Sequence, residues 1–328
     1  MRMHQGNIIE FGEDTQPMLM VVVDTEEEFD WNAPPDRSQV GVKHMEQLHL
    51  THDICVDFGL SPCYVIDYAI ANQKPSIDVL SNYHQLNQCE IGAHLHPWVN
   101  PPFEETLSTA NMYPGNLDAN LELYKLKNLQ AKIAENFGFT PHIYKAGRYG
   151  FGPNTLKTLE KLGFSIDLSY CPPINHTKDG GPNYSYIDSL PFVFNDSKVL
   201  EIPISGGFTG KLGNLSRSMF DLAKELENFR VPGILARTQL LDRLILSPEG
   251  YTSDEHIKLT KHLFNKGHRL FTWSFHSPTV IPGNTDYVTS KQEQQVYLDS
   301  FKRFFDFFFN QLNGRAVTPT EIYAMTEK

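Results

Sequence analysis

Four short stretches of this 328-residue chain place acids, imidazoles and a guanidinium directly behind apolar runs. Asp24 and Glu26 follow the run 18–23 and lie two apart, which in extended backbone puts both side chains on one face. Two carboxylates in different surroundings can divide labour, one holding a cation and the other taking a proton from water. A solvated acidic turn is the plainer account of Glu26, Glu27 and Glu28, but their place behind a buried strand favours the first. His94 and His96 have the same spacing, which suits two nitrogens on one divalent ion. A carboxylate from another strand end would complete an open-sided three-ligand site with room for water.

Two further groups fit such a site. Arg148 follows Gly147 in a turn of little bulk, where a guanidinium could orient a carboxylate or form an ordinary rim salt bridge. His276 ends the stretch 270–276; an imidazole there suits protonation of a leaving amine, with a capping role before Ser277-Pro278 as the alternative. Trp98 and Tyr149 could stack on a sugar ring or serve as packing.

These groups need elements that bring them together. Residues 18–23 form a continuous apolar run of the kind buried on both faces of a sheet. Beyond it the chain alternates. The pattern predicts helices over 42–58, 76–86, 117–137, 154–162, 215–229, 253–266 and 292–312, several closed by glycine. It predicts strands over 61–68, 89–96, 142–144, 164–168, 200–204 and 269–275. Strands alternating with helices imply a parallel sheet, and the number of repeats favours a closed or nearly closed barrel. The ends of parallel strands converge on one rim, so Asp24/Glu26, His94/His96, Arg148 and His276 can meet there. The Pro-, Gly- and Asn-rich stretch 171–184 reads as a long loop able to cover a cleft.

Bulk properties narrow the partners. With 40% hydrophobic residues, 22 Phe and 14 Tyr, the chain can build one large core. A net charge of −11 repels phosphodiester backbones, and no Lys/Arg-rich run offsets it, so no nucleic-acid partner is expected. Cys55, Cys63, Cys89 and Cys171 form no C-x-x-C pair and read as buried thiols. No apolar run reaches membrane-spanning length. Glu10, Glu13 and Asp14 stand where a signal peptide would be basic or apolar, so the expected location is cytoplasmic. The sequence carries no oligomer signal beyond the Phe-rich stretch 304–309, which could pack on the barrel or on another subunit.

Four segments in order, residues 21–31 (VVVDTEEEFDW), 90–98 (EIGAHLHPW), 145–150 (KAGRYG) and 275–285 (FHSPTVIPGNT), resemble the motifs of the polysaccharide deacetylase family. This is the NodB-homology or carbohydrate esterase family 4 group, and the WalW-type branch is nearest in style. The resemblance implies an α/β fold, an irregular (β/α)7 barrel forming a single domain over 17–328 behind a polar segment 1–16. It implies metal-assisted hydrolysis of an N- or O-acetyl group on a sugar or glycan precursor. Asp24 matches the carboxylate base, Arg148 the base-orienting arginine and His276 the general acid. Glu26 falls where related branches place a metal-binding carboxylate, with Glu27 as the other choice. The second motif usually has histidines four apart; here Trp98 occupies that position and His96 supplies the second imidazole. The expected cofactor is a divalent metal ion, zinc, held by Glu26, His94 and His96. Trp98 and Tyr149 are the candidate substrate contacts. Two rivals share this frame: hydrolysis of another carbon–nitrogen bond, such as a cyclic amide or ureide, and a non-catalytic carbohydrate-binding protein.

Overall fold

The computed structural model describes residues 6–210 and 242–326. At its centre lies strand β2 (Met18–Thr25), buried along its whole length. Met18, Met20 and Val22 meet residues of other strands across the sheet, while Leu19, Val21 and Val23 pack with the helices. Burying both faces is what makes this strand a continuous apolar run. Parallel neighbours continue on one side through β3 (Cys63–Ile66), β4 (Glu90–Leu95), β5 (Ile143–Ala146), β6 (Ile166–Asp167) and β8 (Leu200–Glu201). On the other side β11 (Leu270–His276) pairs with β2 along its full length, which sets His276 opposite Asp24. At the far edge β7 (Phe192–Phe194) and then β1 (Gly6–Ile8) add antiparallel strands. The pair β9 (Gly206–Thr209) and β10 (Asp242–Ile245) forms a separate ribbon, and β12 (Arg315–Ala316) pairs with the start of β2.

Among the described residues the sheet does not close into a continuous ladder. Ser205 spans the gap: its N–H donates to the Thr272 carbonyl at 3.2 Å, and its hydroxyl accepts from the Thr272 N–H at 2.9 Å. Leu246 and Ser274 add a further bond of 3.0 Å. The closed ring expected from the strand count is not seen among the described residues; these hydrogen bonds tie Ser205 and Leu246 to β11.

Helices are found at most of the stretches read as helical, and Tyr68–Asn72 and Pro319–Thr326 are two more that the sequence reading did not include. Ala119–Phe137 is capped by Asp118 and stopped by left-handed Gly138, and Ser253–Asn265 begins with a Thr252/Glu255 capping box. The predicted helix over 42–58 is instead a 3-10 turn, Lys43–Gln47, followed by the helix His49–Asp57. Glu28 interrupts it by accepting from both the His44 backbone N–H and the His44 ring. Residues 215–229, read as a helix, lie outside the described residues. The Phe-rich C-terminal helix Lys291–Asp306 turns its rings inward. Phe304 stacks on Trp273 at 4.5 Å, and Phe301 meets Phe275 edge-on at 5.0 Å. All four cysteines are buried free thiols, and no described helix is long and apolar enough to cross a membrane.

Candidate active site

The two-residue strand period selects which side chains face the interior. In β4, Ile91, Ala93 and Leu95 join the helix-side core, so His94 and His96 point the other way. In β5, Tyr144 and Ala146 face the helices and Lys145 faces inward. In β11, Phe271, Trp273 and Phe275 do the same, leaving Ser274 and His276 inside. Asp24 continues the inward series of Met18, Met20 and Val22. Gly92 permits the close approach below the histidines, since a Cβ there would lie 2.9 Å from the Ile143 carbonyl and 3.0 Å from Val65.

These side chains meet in a cleft of about 430 Å³ that Asp24, Glu26, His94, His96 and His276 all line. Glu26 Oε2 stands 3.5 Å from His94 Nε2 and 3.4 Å from His96 Nε2. The other imidazole nitrogens are occupied: His94 Nδ1 donates to the Lys145 carbonyl at 3.0 Å, and His96 Nδ1 meets Glu27 Oε2 at 2.8 Å. A carbonyl can only accept, so His94 carries its proton on Nδ1 and presents a lone pair at Nε2. That buried Nε2 has no hydrogen-bond partner. Burial holds both imidazoles below their ordinary pKa, despite nearby Glu26 and Asp24.

The donor set fits a small divalent cation. Ligands about 2.1 Å from a tetrahedral centre are separated by edges of about 3.4 Å. The Glu26–His distances of 3.4 and 3.5 Å match this spacing, and both are long for a hydrogen bond. Partners fixing the far nitrogen of a ligating histidine are a usual feature of metal sites. A second group, Glu27, Asp67 and His96, also brings ligand atoms within 4.8 Å of one another. Burial pushes Glu27 up to about 8, and burial together with Glu27 pushes Asp67 well above its usual value. Glu27 braces His96 from behind and donates its backbone N–H to Asp67 Oδ2 at 3.3 Å; Glu27 and Asp67 do not line the cleft. Of the two sequence candidates, Glu26 is the one turned to the open side.

Beside this cluster stand an acid and a base. Burial would raise the Asp24 carboxyl, but Lys145, His94 and His276 outweigh it and hold the group below its usual range. Lys145 Nζ donates to Asp24 Oδ1 at 2.5 Å and to the Ser274 hydroxyl at 3.0 Å. His276 Nε2 lies 3.6 Å from Asp24 Oδ2, and its Nδ1 is held by Glu249 Oε2 at 2.7 Å. Glu249 also accepts from the His276 backbone N–H and the Thr279 hydroxyl. Burial would lower the His276 pKa, yet Glu249, Glu26 and Asp24 push it up to about 10. Glu249→Gln in metal-free protein is therefore expected to move the His276 titration, followed by NMR, toward its ordinary value near 6.5. The alkaline limb of any activity that needs the imidazolium should follow it to lower pH. An unmoved titration would remove Glu249 from this role.

Two sequence expectations need correction. Arg148 does not touch Asp24. Its guanidinium lies over the Tyr113 ring at 5.0 Å, with Tyr113 Oη at 3.4 Å and Met112 Sδ at 3.6 Å. The left-handed backbone at Arg148, φ 53° and ψ 28°, turns the side chain away from the strand direction, and Lys145 occupies the place at Asp24. Trp98 is 1% exposed, stacks on His96 at 4.2 Å and meets Phe29 edge-on at 5.3 Å. It is a wall behind a histidine and offers no face to a ligand. Tyr149 does line the cleft, as do Cys171, Ile174 and His176 from the predicted loop.

The residues missed are Lys145, Glu249 and Trp31, whose ring meets His276 edge-on at 4.8 Å. A lysine inside the strand Ile-Tyr-Lys-Ala was a usable signal, because an interior cation demands a buried anion. Glu249, in a Ser-Pro-Glu-Gly turn, gave none.

No family model matches the chain, and no curated protein sequence does. Solved structures do resemble it. A candidate polysaccharide deacetylase from Mycobacterium smegmatis superposes with a TM-score of 0.53 at 11% identity, covering 99% of this chain and 95% of that one. A 4-alpha-glucanotransferase from Thermococcus litoralis gives 0.51 at 11% identity over 95% of this chain, which spans 40% of the glucanotransferase. At such identities the likeness is one of fold: a mixed α/β domain built on a parallel sheet.

Proposed function

We propose that the chain is a metal-dependent hydrolase of the polysaccharide deacetylase type, removing an N- or O-acetyl group from a sugar or glycan. The observation that carries this is the convergence of Glu26 with the Nε2 atoms of His94 and His96, next to Asp24 and His276, in one cleft. The motif resemblance and the fold shared with a candidate polysaccharide deacetylase support the same reading. On it the parallel sheet belongs to an irregular (β/α)7 barrel, and the chain stands with carbohydrate esterase family 4, in its WalW-type branch.

Glu26, His94 and His96 would hold the ion, zinc by the chemistry of the donors. When bound, it supplies Lewis-acid polarisation of water and of the acetyl carbonyl. Asp24, kept ionised by Lys145, takes the proton of the attacking water. The new bond joins the water oxygen to the acetyl carbon, and the bond to the sugar nitrogen breaks as acetate leaves. His276, kept protonated by Glu249, gives its proton to the departing amine. The 3.6 Å between Asp24 and His276 lets base and acid serve the same reacting carbon from adjacent positions.

Purified protein is expected to carry one divalent ion per chain and to release acetate from N-acetylglucosamine oligomers. Stripping with chelator should abolish the release and zinc should restore it. Unchanged acetate release from metal-free protein would refute the proposal.

A further inference from the structure

The cleft contains a cation that this chemistry does not use. Lys145 is engaged by Asp24, and His276 by Glu249. Arg148 also lines the cleft, yet no carboxylate of the described residues lies within ion-pair distance of it. Its polar contacts are Tyr113 Oη at 3.4 Å and Met112 Sδ at 3.6 Å. A guanidinium presents five N–H donors in a planar fork, so most of its capacity faces open space. Lys145 holds the place at Asp24, while Arg148 rests on Tyr113 and Met112.

The backbone supports a function for this placement. Arg148 and Tyr149 are consecutive non-glycine residues with positive φ, 53° and 58°, a strained conformation that concentrates at ligand sites. The preceding residue is locked as well: a Cβ on Gly147 would lie 2.4 Å from the Leu95 carbonyl and 2.6 Å from the His96 ring. Tyr113 supports one face of the guanidinium and leaves its edge available to two oxygens of one anion.

We infer that Arg148 is the receptor for an oxyanion on the substrate, so that the preferred substrate is an acetamido sugar carrying a carboxylate or phosphate group. This rests on the hydrolase reading for the place of the acetamido group. In a chain of net charge −11 the overall field disfavours an anion, so the preference has to come from this local contact.

The test uses metal-loaded wild type, Arg148→Gln, Arg148→Lys and Arg148→Gly with three probes. These are the neutral N-acetylglucosamine trisaccharide, N-acetylmuramic acid for the carboxylate, and N-acetylglucosamine 1-phosphate for the phosphate. Binding is read by calorimetry and acetate release in parallel. Wild type is expected to favour one anionic probe, which names the source, and Arg148→Gln to lose that preference by about tenfold or more while binding the neutral probe unchanged. Arg148→Lys should retain part of it. Arg148→Gly, whose residue suits the left-handed backbone, should unfold at no lower temperature than wild type. Equal anion preference in wild type and Arg148→Gln overturns the inference, as does a wild type that favours the neutral probe. A destabilised Arg148→Gly variant with unaltered binding overturns it too and assigns the residue to the fold. Anion-selective, Arg148-dependent binding without acetate release keeps the inference and removes the hydrolase reading; acetate release without anion preference does the reverse.

Discussion

Asp24→Asn is expected to lower kcat for acetamide hydrolysis by about 10²- to 10⁴-fold, the usual contribution of a positioned general base. Asparagine matches aspartate in shape, and its amide oxygen can still accept from Lys145, but it cannot take a proton from water. The ligand atoms of Glu26, His94 and His96 form a separate group, so metal content should remain at one ion per chain. Keeping the metal while losing the rate separates a base from a ligand. If the variant loses its metal, Asp24 belongs to the coordination sphere; if it keeps near-normal kcat, the proposed mechanism fails.

Lys145→Met is expected to destabilise the fold by about 3–5 kcal/mol, because it leaves the Asp24 charge buried without its partner. Lys145 is fully buried and Asp24 is 2% exposed, so solvent cannot take over the role. Removing both charges in Asp24→Asn/Lys145→Met should recover much of the loss, since replacing a buried pair as a unit is far less costly than breaking it. The pH dependence has a definite sign. Asp24 in the folded protein lies below its ordinary pKa, so its stabilising contribution is present above the unfolded value near 3.9 and is lost as pH falls through the folded value. In metal-free protein the stability gap between wild type and Lys145→Met should narrow on acidification through that range. Denaturant unfolding at several pH values measures it, and a gap that widens toward acid would exclude the pair as the cause.

Much of this site was legible in the chain before any coordinates. Continuous apolar runs marked strands buried on both faces, and the two-residue period put Asp24, His94, His96 and His276 on inward faces at strand ends. Glycine stops marked the ends of the helices read over 117–137 and 154–162. Those features are local: propensity, period and capping act within a few residues, so sequence expresses them directly.

What escaped involves partners across the sheet. The strand period says which face a side chain occupies and nothing about what stands opposite. Lys145 reaches Asp24 across 121 positions, and Glu249 reaches His276 through a turn with no signature of its own. Arg148 was assigned to Asp24, but a left-handed residue at the end of β5 sends it elsewhere. Trp98 continues the histidine pattern in sequence, yet Phe29 and His96 enclose it. Strand order, register and the hydrogen bonds from Ser205 to β11 decide such pairings. They are set by how the whole core packs, which no window of the sequence contains.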